Sequence, residues 1–260
     1  MIRAGGLLVL MLVLAGCQSR PATRPVPVDV RSNTSVPASP AMVDNDALAS
    51  AEPLPSLRCR ARADESLSLR RSVIEALMRD GDWYAALAQV DALPATQPAV
   101  ALLRADILRE LAPSQARRWY EAVLRQCNDV RAEHGLGLLA AREGRLTDAA
   151  GHLRRVVKAY PVEPRYRNDL GVLFLQLQQD DQAAFELRTA HELAKADPQP
   201  VFNLLLRALV MNNADEWRQL SLRWAPPDET RARLAEACAN LMSVRLNGQR
   251  VRCPIDPRRA

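Results

Sequence analysis

Residues 130–163 read VRAEHGLGLLAAREGRLTDAAGHLRRVVKAYPVE, and residues 164–197 read PRYRNDLGVLFLQLQQDDQAAFELRTAHELAKAD: one phrase given twice at a period of 34 residues. Leu136-Gly137 returns as Leu170-Gly171, Ala149 as Ala183 and Leu153 as Leu187, while Pro161 finds only a displaced counterpart in Pro198. A period of this length belongs to a helix-turn-helix unit. The Leu-Gly pair lets two helices approach closely, and the later Ala keeps the second helix thin where it crosses the first. A Pro stops the second helix. Such a unit cannot bury its apolar face alone, so it must stack on neighbours.

These residues resemble the tetratricopeptide (TPR) consensus, which implies an all-α superhelical solenoid. The small residue of the second helix marks the units: Ala86, Ala116, Ala149, Ala183 and then Trp217, at spacings of 30, 33, 34 and 34. Turns are expected at Gly81-Asp82, Leu111-Ala112-Pro113, Gly144, Gln179-Asp180-Asp181 and Asn212-Asn213, where Gly, Asn and Asp supply a permissive backbone. Five helix pairs follow from this, with the first two and the last degenerate.

The first pair is expected over Ser66 to Arg79 and Trp83 to Leu93, with Val73, Ile74, Leu77, Ala86, Leu87 and Val90 on the facing stripes. Pro98 opens the next pair, and Val201 to Met211 with Glu216 to Trp224 forms the last. Pro226-Pro227-Asp228 ends the array, and Asp228 is placed to cap a final helix over residues 228–244. Its stripe of Leu234, Ala237, Cys238, Leu241 and Met242 seals the end of the solenoid. The repeat domain thus occupies residues 56–227, and residues 245–260 form a basic tail.

The N-terminus reads as an address. Arg3 is followed by an apolar run from Ala4 to Gly16 that leads into Leu14-Ala15-Gly16-Cys17, which resembles the lipobox of bacterial lipoproteins. The run is too short to cross a bilayer as a helix, which takes about 20 residues. The resemblance implies a signal peptide over residues 1–16, lipidation of Cys17, and an outer-membrane anchor facing the periplasm, since Gln18 and not Asp follows the Cys. Residues 17–55 carry Pro21, Pro25, Pro27, Pro37, Pro40, Pro53 and Pro55 among small polar residues, a composition expected to form an extended, disordered tether.

The net charge of +5 invites a nucleic-acid reading, but the basic residues are interleaved with nearly as many carboxylates and lack an aromatic platform. No nucleic-acid partner is expected. No catalytic constellation is visible either. His134, His152 and His191 stand without a second ligand at metal spacing, no Ser sits in a nucleophile elbow, and the scattered Gly residues form no phosphate cradle. An enzyme, a cofactor, a metal and a small-molecule substrate are therefore not expected.

What remains is binding to protein. The TPR resemblance places groove residues on the first helix of each pair: Arg131, His134, Leu138 and Arg142; Arg165, Asn168, Val172 and Gln176; and Asn203, Arg207 and Met211. An Arg and Asn lining suits an extended peptide or a carboxylate. Besides Cys17 there are four cysteines in what is expected to be an oxidising compartment. Cys238 and Cys253 are the leading pair, with Asn247-Gly248 as the turn between them. Cys59 and Cys127 fall on one edge of an up-down array and can also meet. Other pairings, and a buried free thiol at Cys238, stay open.

The lipobox, Pro-rich tether and repeat array together are similar to TadD, the lipoprotein family of Tad (tight adherence, Flp-type) pilus assembly systems. The likeness is closest over Tyr166-Arg167-Asn168-Asp169-Leu170-Gly171 and Phe185-Glu186-Leu187-Arg188-Thr189-Ala190. It implies a pilotin-like role, escorting or stabilising the outer-membrane secretin through which the pilus passes. The basic tail and the degenerate first repeats are not matched by that family. The alternative is a periplasmic scaffold for cell-wall enzymes.

Overall fold

The computed structural model describes residues 53–59, 65–245 and 253–258. The signal peptide, Cys17 and most of the tether lie outside the described residues, as do Asn247-Gly248 and the tail's Arg250, Arg252 and Arg259. The described part is all-helical. Its helices are α1 (Glu65–Asp80), α2 (Trp83–Asp91), α3 (Pro98–Leu111), α4 (Pro113–Cys127), α5 (Arg131–Arg142), α6 (Leu146–Ala159), α7 (Pro164–Gln176), α8 (Asp180–Leu193), α9 (Pro198–Val210), α10 (Ala214–Trp224) and α11 (Asp228–Arg245). They form five antiparallel pairs and a closing helix, each pair packed on its neighbours in chain order.

The unit markers sit where the repeat logic requires. Ala86, Ala116, Ala149 and Ala183 have no exposed surface, and Trp217 takes the same place in the last pair at 3% exposure. At the two best-formed crossings the glycines are needed. A Cβ on Gly171 would stand 2.7 Å from Leu187 Cγ and 3.2 Å from the Leu187 backbone nitrogen. One on Gly137 would meet Leu153 Cδ2 at 2.9 Å. Leu153 and Leu187 are fully buried there, each a contribution of about 2–3 kcal/mol.

The core runs as successive layers. Ile74, Val90 and Ile107 fill the first, and Tyr120, Val123 and Leu139 the second. Leu153, Leu173 and Leu187 fill the third, and Leu209, Trp217 and Leu234 the last.

Several local expectations are corrected. Pro161 follows the C-cap Tyr160 of α6, as expected of a residue that stops the second helix, but Pro198 is no such stop: like Pro98 and Pro164 it occupies the first turn of a first helix (α9, α3 and α7), where the missing N–H has no helical partner to lose. The turn into α8 lies earlier than Gln179-Asp180-Asp181. Gln178 takes the left-handed conformation (φ 59°), and both aspartates already belong to the first turn of α8, where they favour the positive end of the helix dipole. Asn212 serves the same turn role before α10 (φ 54°), and Asn213 caps that helix by accepting from the Glu216 N–H at 3.1 Å. Asp228 is not a cap. It is the first residue of α11, and the Pro227 carbonyl accepts the first helical bond, from the Arg231 N–H. Val73 does not face α2, since it is 52% exposed on the outer side of the first helix.

Two disulfides tie the ends. Cys59 bridges Cys127, with Cα atoms 5.2 Å apart, and fixes the segment before α1 to the end of α4. The Leu57 N–H donates to Gln126 Oε1 at 2.8 Å and the Arg58 N–H to the Thr96 carbonyl at 2.7 Å. Cys238 bridges Cys253, with Cα atoms 5.5 Å apart, and Arg231 clamps the same tail by donating to the Pro257 carbonyl at 2.9 Å.

Candidate binding face

The first helices α5, α7 and α9 each contribute one polar residue: His134, Asn168 in the same register 34 residues on, and Asn203, one position past that register. All three are buried, and they knit consecutive pairs together. Asn203 Nδ2 donates to Asn168 Oδ1 at 2.7 Å, and Asn168 Nδ2 donates to Asp169 Oδ1 at 3.3 Å. Asp169 Oδ2 lies 2.7 Å from His134 Nε2, and Tyr166 packs its ring 4.8 Å from the His134 ring. Buried amides satisfied in this way hold the spacing of the three pairs.

Against this polar ladder lies a cavity of about 340 Å³. Leu138, Val172 and Gln176 line it together with Asn168 and Asn203, so five of the expected groove residues share one hollow. Its apolar walls can take side chains. Gln176 and Gln199 at its rim can bond a peptide backbone. The sequence expectation omits Asp169 and Gln199, although each is within one helical turn of a predicted position, and Gln199 Nε2 reaches Asn203 Oδ1 at 3.4 Å.

A second, smaller hollow of about 70 Å³ gathers Arg131, His134 and Arg165 with Arg71, Asp106 and Tyr166. Its cations are held in different ways. Arg131 is clamped on Asp129 (Nε to Oδ1 2.9 Å), whose carboxyl stays below the ordinary range: burial pushes it up, but the bonds from Arg131 outweigh this. Arg165 leans toward His134 Nδ1 at 3.5 Å. Tyr120 donates its hydroxyl to Asp106 at 2.7 Å, and burial with the Asp106 charge raises the Tyr120 pKa far above its usual value.

Arg142, Arg207 and Met211 line neither hollow. Arg142 turns back to α3, donating to the Arg109 carbonyl and to Glu110, both at 2.6 Å. Arg207 is buried and bridges three helices, with Asp180 of α8 and Glu216 of α10 each at 2.6 Å. Met211 ends α9 with 37% of its surface exposed. A further buried carboxylate, Glu133, is held by Arg155 at 2.8 Å and by His152. Burial alone would raise its pKa, and these two partners bring it below the ordinary value. Among the described residues, no group of three or more His, Cys, Asp or Glu is arranged to hold a metal, and no helix is long and apolar enough to cross a membrane.

No family model matches the chain. The TPR repeat-containing protein PA4299 of Pseudomonas aeruginosa is 37% identical over 147 residues, which are 56% of this chain and 60% of that protein. The chain therefore spans 60% of the length of this curated relative. The solved structure of Pseudomonas aeruginosa pilF superposes with a TM-score of 0.52 at 16% identity, over 71% of this chain and 88% of that one. A tetratricopeptide repeat protein from Parabacteroides merdae gives a TM-score of 0.48 at 16% identity, over 71% and 75% of the two chains. The fold is a TPR-type α-α solenoid, an architecture that supports a protein–protein interaction module.

Proposed function

We propose that the chain is a non-catalytic, lipid-anchored periplasmic protein whose α5–α7–α9 face holds an extended segment of a pilus-assembly partner. The partner proposed is the outer-membrane secretin of a Tad/Flp-type system, and the role is pilotin-like: holding the secretin subunit at the membrane until it assembles. The observation that carries the binding mode is the hollow lined by Leu138, Val172 and Gln176 beside the Asn168–Asn203 amide pair. Its apolar walls and amide rim match an extended chain that offers backbone groups and alternate side chains. The Tad assignment draws its support from the lipobox, the tether and the TadD-like stretches of sequence.

The test is capture of partners from detergent-solubilised envelope by the tagged protein, with and without Val172→Glu. A secretin recovered with the wild-type protein and lost with the variant supports the reading. Recovery of murein hydrolases or synthases in its place overturns the Tad assignment and leaves the binding face standing.

A further inference from the structure

A third hollow, of about 620 Å³, runs between α6 and α8, the second helices of consecutive pairs, with α7 as its floor. It shares no lining residue with either hollow of the α5–α7–α9 face. Leu170 and Phe174 form the base, Arg154 and Lys158 stand one helical turn apart on the α6 wall, and Phe185 rises from the α8 wall with 62% of its surface exposed. The Arg154 guanidinium lies 5.1 Å from the centre of the Phe174 ring.

The repeats supply their own control. In the groove one pair earlier, the residues equivalent to Arg154 and Lys158 are Glu121 and Arg125, which neutralise each other at 3.2 Å, and the equivalent of Phe185 is Gly151. In the groove one pair later they are Arg188, which reaches Glu216 at 3.4 Å, and Glu192, facing Gln219. Only the α6–α8 groove, of these three, combines an exposed aromatic ring with two cations that have no carboxylate in ion-pair range among the described residues. Like charges four residues apart on a helix oppose one another, and an exposed Phe gains nothing from water. At the end of the groove, Arg167 and Glu186 pair at 2.7 Å and cancel, and the second carboxylate of the lining, Asp181 at the start of α8, lies across the groove from the cationic wall.

We propose that this groove is a second docking site, for a short acidic peptide segment of another protein. Its carboxylates meet Arg154 and Lys158, and an apolar side chain seats between Phe174 and Phe185. Asp181 takes backbone N–H groups on the opposite side, so the acidic face of the peptide is turned toward α6. The volume falls within the roughly 300–1,000 Å³ of sites that enclose a ligand, enough for a few side chains. The two faces then engage separate segments, of one partner or of two. Joined occupancy raises avidity without any new contact.

The test is selection of random phage-displayed peptides on the immobilised full-length protein, followed by fluorescence anisotropy with an enriched peptide. The expected consensus carries Asp or Glu beside Phe, Leu or Trp. Lys158→Glu and Phe185→Gln should each weaken binding by about tenfold, and Gln176→Glu on the other face should leave it unchanged. Both positions are exposed, and Gln is the residue of the following repeat, so helix content by circular dichroism should match wild type. Enrichment of peptides without acids, no enrichment, or affinity indifferent to Lys158 and Phe185 overturns the proposal. So does either rival occupant. If deleting residues 42–52, which include Asp44, Asp46 and Glu52, tightens peptide binding several-fold, the groove is covered by the chain itself. If Phe185→Gln halves the mass measured by light scattering, the groove is a contact between copies.

Discussion

Substituting Gly135 by Ala tests the stacking of the array at its tightest point. Gly135 lies in the middle of α5, and a Cβ there would enter the space of three ring carbons of Tyr120. The ring has no route of retreat. Tyr120 is fully buried and its hydroxyl is tied to Asp106 at 2.7 Å. Overpacking of this kind costs about 1–3 kcal/mol, and displacing the ring forfeits a hydrogen bond of about 1 kcal/mol. Ala returns about 1 kcal/mol through its better helix propensity, so the net loss is about 1–3 kcal/mol. For a chain of this size, at about 2–4 °C per kcal/mol, that lowers the thermal midpoint by roughly 2–12 °C. Gly151→Ala is the matched control, because in α6 the nearest atom to its Cβ is the Arg155 Nη1 at 3.7 Å, an ordinary contact. There only the propensity gain remains, and the midpoint should rise by roughly 2–4 °C. Differential scanning calorimetry of both variants decides the matter. Shifts of the same sign refute the claim that Gly135 marks a close crossing and Gly151 an open surface.

Other outcomes follow from the same structure. Opening the Cys238–Cys253 bridge with Cys238→Ser should cost about 3 kcal/mol for a loop of 15 residues, and peptide mapping of the unreduced protein should yield these two cysteines joined. The Glu133 carboxyl is held below its unfolded value, so its contribution is complete above about pH 4.3 and is lost as pH falls through the folded value. Wild type should therefore be more stable than Glu133→Gln near neutral pH, with the two melting curves converging below about pH 4. Cys17→Ser should leave an unprocessed precursor, and processed mutant protein in the outer-membrane fraction would contradict lipidation.

Much of this architecture is legible in the residues, because a 34-residue period fixes which side chains face a neighbouring pair whatever the remaining sequence does. The markers Ala86, Ala116, Ala149 and Ala183 are examples, and all are fully buried. Less legible is which polar residue in a facing position is consumed by the fold. Arg207 and Asn203 occupy expected groove positions, yet Arg207 is spent on Asp180 and Glu216, and Asn203 on Asn168. Asp180 and Asn168 come from the preceding pair and Glu216 from the second helix of the same pair, and periodicity gives register within a helix but not the reach of a side chain across it. Val73 fails for a related reason: an end helix has a neighbour on one side only, so half of its apolar pattern has nothing to cover it. The α6–α8 groove carried a signal that pattern matching passes over. Phe185 stands where the preceding repeat has Gly151, and the departure from the repeat is the informative feature.

The most direct test of the central claim is site-specific photo-crosslinking in living cells from a benzophenone side chain at position 176, on the face lined by Leu138 and Val172. The expected result is a covalent adduct containing the outer-membrane secretin, and no such adduct from position 118 on α4. An adduct with a cell-wall enzyme, or equal yield of the secretin adduct from both positions, would contradict it.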